Sequence, residues 1–258
     1  MRQPYVGITG FTFAKQVDFI LQDVPREEFG FYQLMAGILV SSKTLRGQSN
    51  RHPERFPKIG DVHSIIFPDP HVLWLIHFHA EDTRNLDAEL GETLLHASPH
   101  CHGVQLNVAW PDVFSVDRLW SSLVPTRKQA RIVLQIGQKA MDQASNLPAE
   151  IARRVCVYAS MGIITDVLID PSGGTGKLFD LDAAMQILLA IDERCPTLNL
   201  GIAGGLSAET LHQLDTLVPL FPGLNIDAEG KLRDSQDVLQ CGEAATYLRA
   251  GLKKLRSK

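Results

Sequence analysis

Eight short apolar runs, each followed by a turn and then an amphipathic stretch, predict an α/β protein closed as a (β/α)8 barrel. Two further observations support closure. No dinucleotide-type glycine fingerprint follows the first run, and no compositional linker divides the 258 residues, so 1–258 reads as one barrel domain.

The elements follow in order. Tyr5 to Thr9 is the first strand, and Ala14 to Gln22 its helix. Met35 to Val40 is the second strand; the stretch Gly47 to Pro70, rich in Pro, Arg, Asn and His, reads as the loop after it, with a short helix somewhere in Pro57 to Phe67. Val72 to Phe78 pairs with a helix over Asp82 to Leu95, Gly103 to Asn107 with Val113 to Leu123, and Arg131 to Ile136 with Pro148 to Ser160. Thr165 to Asp170 precedes a helix over Leu181 to Glu193, for which Asp180 is the cap. Leu198 to Ala203 leads through Ser207-Ala208-Glu209, a hydroxyl cap followed by an acid, into Ala208 to Leu217. Gly223 to Asp227 is the last strand, and Ser235 to Lys254 the last helix.

Composition excludes several functions. The formal charge is −4, and the only basic run is the tail from Lys253 to Lys258, so nucleic acid is not an expected partner. Cysteines 101, 156, 195 and 241 are too few and too scattered for a disulfide framework, which makes a reducing cytoplasm the simplest setting. The start MRQPYVGITGFTF lacks the pattern of a signal peptide, and no apolar stretch approaches the roughly 20 residues a bilayer span needs. A soluble protein is expected, with no membrane partner.

In such a barrel, chemistry sits in the loops after the strands. That rule selects Thr9, Ser41 to Arg46, His79, Asn107, Gln135, Asp170, Ala203-Gly204-Gly205 and Asp227 to Lys231. Gly173-Gly174-Thr175-Gly176-Lys177 is not a nucleotide-triphosphatase loop, because Pro171 stands where the first glycine belongs and Leu178 where Ser or Thr follows the lysine. Barrels often hold phosphate between the loops after strands seven and eight. Gly204, Gly205, Glu229 and Gly230 are therefore the expected phosphate cradle, with Gly174 and Gly176 in a flap from which Lys177 can reach the anion.

These residues resemble the phosphoribosylanthranilate isomerases of tryptophan biosynthesis, which are TIM barrels. Ile8-Thr9-Gly10-Phe11-Thr12 matches that family's first-strand pattern Ile-Cys-Gly-Ile-Thr except at the cysteine. Gly37 to Arg46 fits the second-strand spacing, Val104-Gln105-Leu106-Asn107 the fourth, and Asp170 with Gly173 to Asp180 the sixth. Gly204-Gly205-Leu206 and Asn225 to Gly230 fit the seventh and eighth.

The resemblance implies an Amadori rearrangement of an aminoaldose phosphate, an intramolecular oxidoreduction, with no cofactor. Asp170 would be the catalytic acid, Thr9 would occupy the place of the catalytic base, and Lys43 and Arg46 would contact substrate; Asn107 and Gln135 are polar strand ends that suit barrel-mouth hydrogen bonds and substrate contacts equally. Burial at a strand end can raise a carboxyl until it donates a proton near neutrality. A threonine hydroxyl has no comparable basicity. His79 is one candidate for the replacement base. The alternatives are another reaction on a phosphorylated sugar, such as epimerisation or a lyase step, and a silent protein that binds the same ligand.

Blander readings stand beside each residue. Asp170 can cap its own loop, Gly204-Gly205 can be a tight turn, Lys43 and Arg46 can be solvated, and Thr9 can simply end a strand. His77 and His79 share a strand face, yet no third metal ligand is identifiable; His100 and His102 lie in a loop that enters a strand, so no metal is expected. A homodimer is left open.

Overall fold

The computed structural model describes residues 2–80, 82–126, 129–171 and 180–256. Its strands form a closed parallel barrel in sequence order: β1 Tyr5–Thr9, β2 Gln33–Ser41, β3 Val72–His79, β4 Gly103–Asn107, β5 Arg131–Gly137, β6 Asp166–Asp170, β7 Asn199–Ala203 and β8 Asn225–Ala228. Closure is through β1 and β8, with Val6 opposite Ile226 and Gly7 opposite Asp227. The helices are α1 Ala14–Asp23, α2 Ser42–Leu45, α3 Val62–Ile65, α4 Leu86–His96, α5 Val113–Leu123, α6 Gln138–Gln143, α7 Pro148–Ser160, α8 Leu181–Arg194 and α9 Cys241–Arg256.

Side-chain alternation along each strand separates two environments. One parity, including Val6, Ile8, Ile38, Ile76, Val104, Leu134 and Ile202, packs outward beneath the helices. The other points into the barrel, where Tyr5, Met35, Leu73, Leu75, Val133, Leu168 and Ala203 form an apolar layer.

Polar residues of the inward parity occupy both ends of that layer. At the N-terminal end, Arg131 pairs with Asp166 at 3.0 Å, both essentially buried. Asn225, Asn199 and Thr165 also donate to the Asp166 carboxylate, at 3.0, 3.1 and 2.5 Å. At the other end lie Thr9, His77, Gln105, Gln135, Asp170 and Asp227, all buried.

Three expected elements differ. The helix expected over Ala208 to Leu217 is a 3-10 turn at Leu211–Asp215. Thr210 explains it: its hydroxyl bonds the Gly205 and Ser207 carbonyls at 3.0 and 3.3 Å, competing with helical pairing. The last helix begins at Cys241 rather than Ser235, because the Asp234 carboxylate captures the amides of Gln236 and Val238 and a bridge joins Arg233 to Leu239. Of the second helix only α3 and the preceding 3-10 turn Ile59–Asp61 form. The short α6 after β5 is an addition to the expected set.

Although the cysteines suggest no framework, Cys156 on α7 and Cys195 after α8 form a disulfide with their Cα atoms 6.3 Å apart. Cys101 is buried and Cys241 half-buried. No helix among the described residues is long and apolar enough to cross a membrane.

Candidate active site

The C-terminal mouth of the barrel holds a cavity of about 690 Å³, within the range of ligand sites. Its floor includes His77, Gln135 and Asp170; its walls include Lys43, Arg46, Arg51, His79 and Asn107. A small space of about 20 Å³ adjoins it, lined by Gly204, Gly205, Asp227, Gly230 and Lys231, and shares His77, Asp170 and Glu229 with the large cavity. Gly204 and Gly205 have φ of 115° and 62°, so the turn after β7 uses backbone geometry that only glycine adopts freely.

Two buried carboxylates are joined across the floor by amide side chains. Gln135 Nε2 donates to Asp170 Oδ2 at 2.8 Å, and Gln105 Nε2 donates to Gln135 Oε1 at 3.1 Å. Gln105 Nε2 also lies 3.3 Å from Asp227 Oδ2 and 3.3 Å from His77 Nδ1. The amide nitrogen faces three acceptors with only two hydrogens, so the network leaves one acceptor incompletely satisfied.

Asp227 also accepts from the Thr9 hydroxyl, at 3.0 Å from each carboxylate oxygen. Burial pushes the Asp227 carboxyl up to about 7, and the hydrogen bonds from Gln105 and Thr9 only partly counter it; the nearby Glu229 and Asp170 add to the rise. His77 moves the other way. Burial, helped by the neighbouring His79, lowers its imidazole to about 3.

The loop after β2 crosses the mouth and fastens to the loops after β8. Arg55 bonds Glu229 at 2.6 Å and Asp237 at 2.7 Å, while His52 meets Asp237 at 3.0 Å. Burial raises the Glu229 carboxyl, and Arg55 opposes that rise.

The sequence-derived candidates converge unevenly. Asp170, Gln135, Asn107, Lys43 and Arg46 all line the large cavity. Arg46, however, is already held by Glu89 at 2.6 Å. Thr9 is completely buried and lines neither cavity; its hydroxyl is directed at the Asp227 carboxylate. Gly204, Gly205 and Gly230 line the small space, and the Glu229 side chain turns to Arg55.

Gly174, Gly176 and Lys177 lie outside the described residues. His79 faces the mouth, with Nδ1 3.2 Å from the Asn107 carbonyl. His102 sits at the opposite end, where Nδ1 accepts the Trp74 amide at 3.0 Å. Among the described residues no group of three or more His, Cys, Asp or Glu is placed to hold a metal ion.

The strand-end rule selects Asp227 but gives it no role, and the sequence offers His77 only as a metal ligand. Asp227 was visible as the acidic residue ending the last strand, and His77 shares the inward parity of His79. What distinguishes them is burial among polar neighbours, which has no local sequence signal.

No protein-family model matches the chain, and no curated protein matches it. Solved structures do. A phosphoribosyl anthranilate isomerase from Thermus thermophilus aligns with a TM-score of 0.61 at 15% identity, over 97% of this chain and 98% of that one. A phosphoribosyl anthranilate isomerase in complex with reduced 1-(o-carboxyphenylamino)-1-deoxyribulose 5-phosphate aligns at 0.55 and 13%, over 98% of each chain. Active domain 2 of a chitinase from Pyrococcus furiosus, represented by catalytic-site mutants, aligns at 0.59 and 7%, over 100% and 97%. At such identities the likeness establishes the barrel fold.

Proposed function

We propose that the protein is an isomerase of a phosphorylated sugar derivative, acting by proton transfer between two carboxyl groups at the barrel mouth. One observation carries the reading. Asp170 and Asp227 both line the space beside the glycine turns and are tied together through Gln135 and Gln105. Two carboxyls in different surroundings are what an acid and a base working on one substrate require.

Asp170 is the acid in this scheme, protonating the ring oxygen so that the sugar opens. Asp227 is the base, removing the proton from C2. Its position near neutrality is suited to that task, and it replaces the thiol that the first strand lacks. Thr9 holds the Asp227 carboxylate by donating to it. Phosphate is assigned outside the Gly204-Gly205 turn and Gly230, with Lys231 beside it, the sugar to the junction of the two spaces where Asp170 and Asp227 face it, and the rest of the substrate to the large cavity near Lys43 and Asn107. The overall likeness to phosphoribosyl anthranilate isomerases supports phosphoribosylanthranilate as the first compound to try.

The test is turnover of phosphoribosylanthranilate by the parent, beside Asp170→Asn and Asp227→Asn. We expect measurable turnover in the parent and losses on the order of 10²-fold or more in each variant. An inactive parent that is still thermally stabilised by the reduced deoxyribulose phosphate analogue would reduce the reading to ligand binding. Absence of both would remove it.

A further inference from the structure

His77 is the buried titratable group that the acid and base assignments leave unused. It is 5% exposed, lies on β3 with its side chain in the barrel, and lines both the large cavity and the small space. Its Nε2 is buried and has no hydrogen-bond partner. A buried imidazole nitrogen without a partner is costly unless a ligand completes it.

The tautomer follows from the other nitrogen. Nδ1 lies 3.3 Å from Gln105 Nε2, an amide nitrogen that carries only hydrogens. Turning the Gln105 amide over would instead aim its oxygen at Gln135 Oε1, an acceptor because Gln135 spends its own nitrogen on Asp170, so the nitrogen belongs where it is. A donor facing Nδ1 requires that nitrogen to accept. The ring hydrogen is therefore on Nε2.

The charged groups sharing the cavities with this ring are the carboxyls of Asp82, Asp170, Asp227 and Glu229 and the cations Lys43, Arg46, Arg51, Arg55 and Lys231, with His52 in the loop after β2 and His79 on its own strand. Burial nevertheless keeps the ring uncharged, its imidazole having fallen to about 3. Such a ring is a poor base. It is a good fixed donor, because it needs no reorganisation as charge develops on a bound oxygen.

Resting on the isomerase reading, we propose that His77 is a catalytic hydrogen-bond donor, its Nε2–H contacting the substrate oxygen on the carbon that Asp227 deprotonates. That oxygen becomes the ketone of the product. The histidine polarises it while keeping its own proton: Asp227 returns the C2 proton to C1, and Asp170, ionised by the ring opening, takes the hydroxyl proton.

The experiment joins a spectroscopic and a kinetic readout. Long-range ¹H–¹⁵N correlation on protein with labelled histidine is expected to show His77 as the Nε2–H tautomer without titration between about pH 5 and 8. A Nδ1–H tautomer, or titration near the ordinary histidine value, overturns the proposal whether or not the protein is an isomerase.

In turnover of phosphoribosylanthranilate, His77→Phe is expected to lose about 10²-fold in kcat with little change in KM, and His77→Gln, which restores an amide donor, to recover part of it. Thermal melts of both variants check that they fold. An active parent with an undiminished His77→Phe variant sinks the donor role alone. An inactive parent sinks the isomerase reading and the donor role with it.

Discussion

At the scale of single residues, Asp227, the base of the proposed scheme, carries a structural cost. Its carboxyl is buried and hydrogen-bonded by Thr9 and Gln105, yet rises to about 7, so burial outweighs the donors. A base must be ionised to act, and the rate should therefore climb with pH through about 7. We expect kcat/KM for the parent to show this limb and Thr9→Val to shift it upward, since the hydroxyl favours the ionised form. Unchanged pH profiles would remove Thr9 from the mechanism.

The same shift has a defined effect on stability. A carboxyl whose folded pKa lies above its unfolded value binds more protons in the native state between about pH 4 and 7, so its contribution falls as pH rises through that window. Replacing Asp227 by Asn removes the penalty. The stability advantage of Asp227→Asn over the parent should grow from pH 4 to 7 and then level, reaching roughly 1–3 kcal/mol in urea unfolding at pH 8. An advantage that shrinks with rising pH would contradict the burial argument.

At the scale of elements, the mouth is shaped by loops rather than by the strands that present them. The segment after β2 is pinned by Arg55, whose side chain is only 12% exposed between Glu229 and Asp237. Removing the guanidinium leaves two carboxylates facing each other across the strap. Arg55→Ala should cost about 2 kcal/mol and speed amide exchange around residues 48–56, as read by hydrogen exchange. Unchanged exchange there would mean that other contacts fix the strap.

The turn after β7 makes a second element-scale prediction. Alanine at Gly204, where φ is 115°, would be strained by about 1–3 kcal/mol and would move the Gly205 amide. Binding of inorganic phosphate, followed by calorimetry, should weaken at least tenfold in Gly204→Ala. Equal affinity in parent and variant would place the anion elsewhere.

For the whole molecule, the barrel is filled by an apolar layer between two polar ends. The N-terminal end is structural: Asp166 collects Arg131, Asn199, Asn225 and Thr165 far from the mouth. Arg131→Met leaves that carboxylate buried without its cation. We expect a loss of about 3–5 kcal/mol in chemical unfolding, with turnover per folded molecule unchanged. A fall in specific activity at full stability would tie the lower end to the site. The fold is shared with isomerases and a chitinase domain, and in such barrels the loops at the mouth can vary without touching the other end.

Local patterning by itself determined the barrel. Each strand's period-2 sequence and each flanking amphipathic stretch encode their own conformation, and eight such units leave few ways to bury every apolar face. It also determined that Asp170, Gln135, Asn107 and the glycine turns meet at one end, because strand ends in a parallel barrel are neighbours by topology. Only the tertiary structure decided the rest. That Thr9 serves Asp227, that Arg46 is taken by Glu89, and that Arg55 closes over Glu229 are pairings between residues 43 to 218 positions apart. Dielectric surroundings and hydrogen-bond partners set the chemistry of Asp227 and His77, and both are properties of the packed barrel, absent from any single stretch of chain.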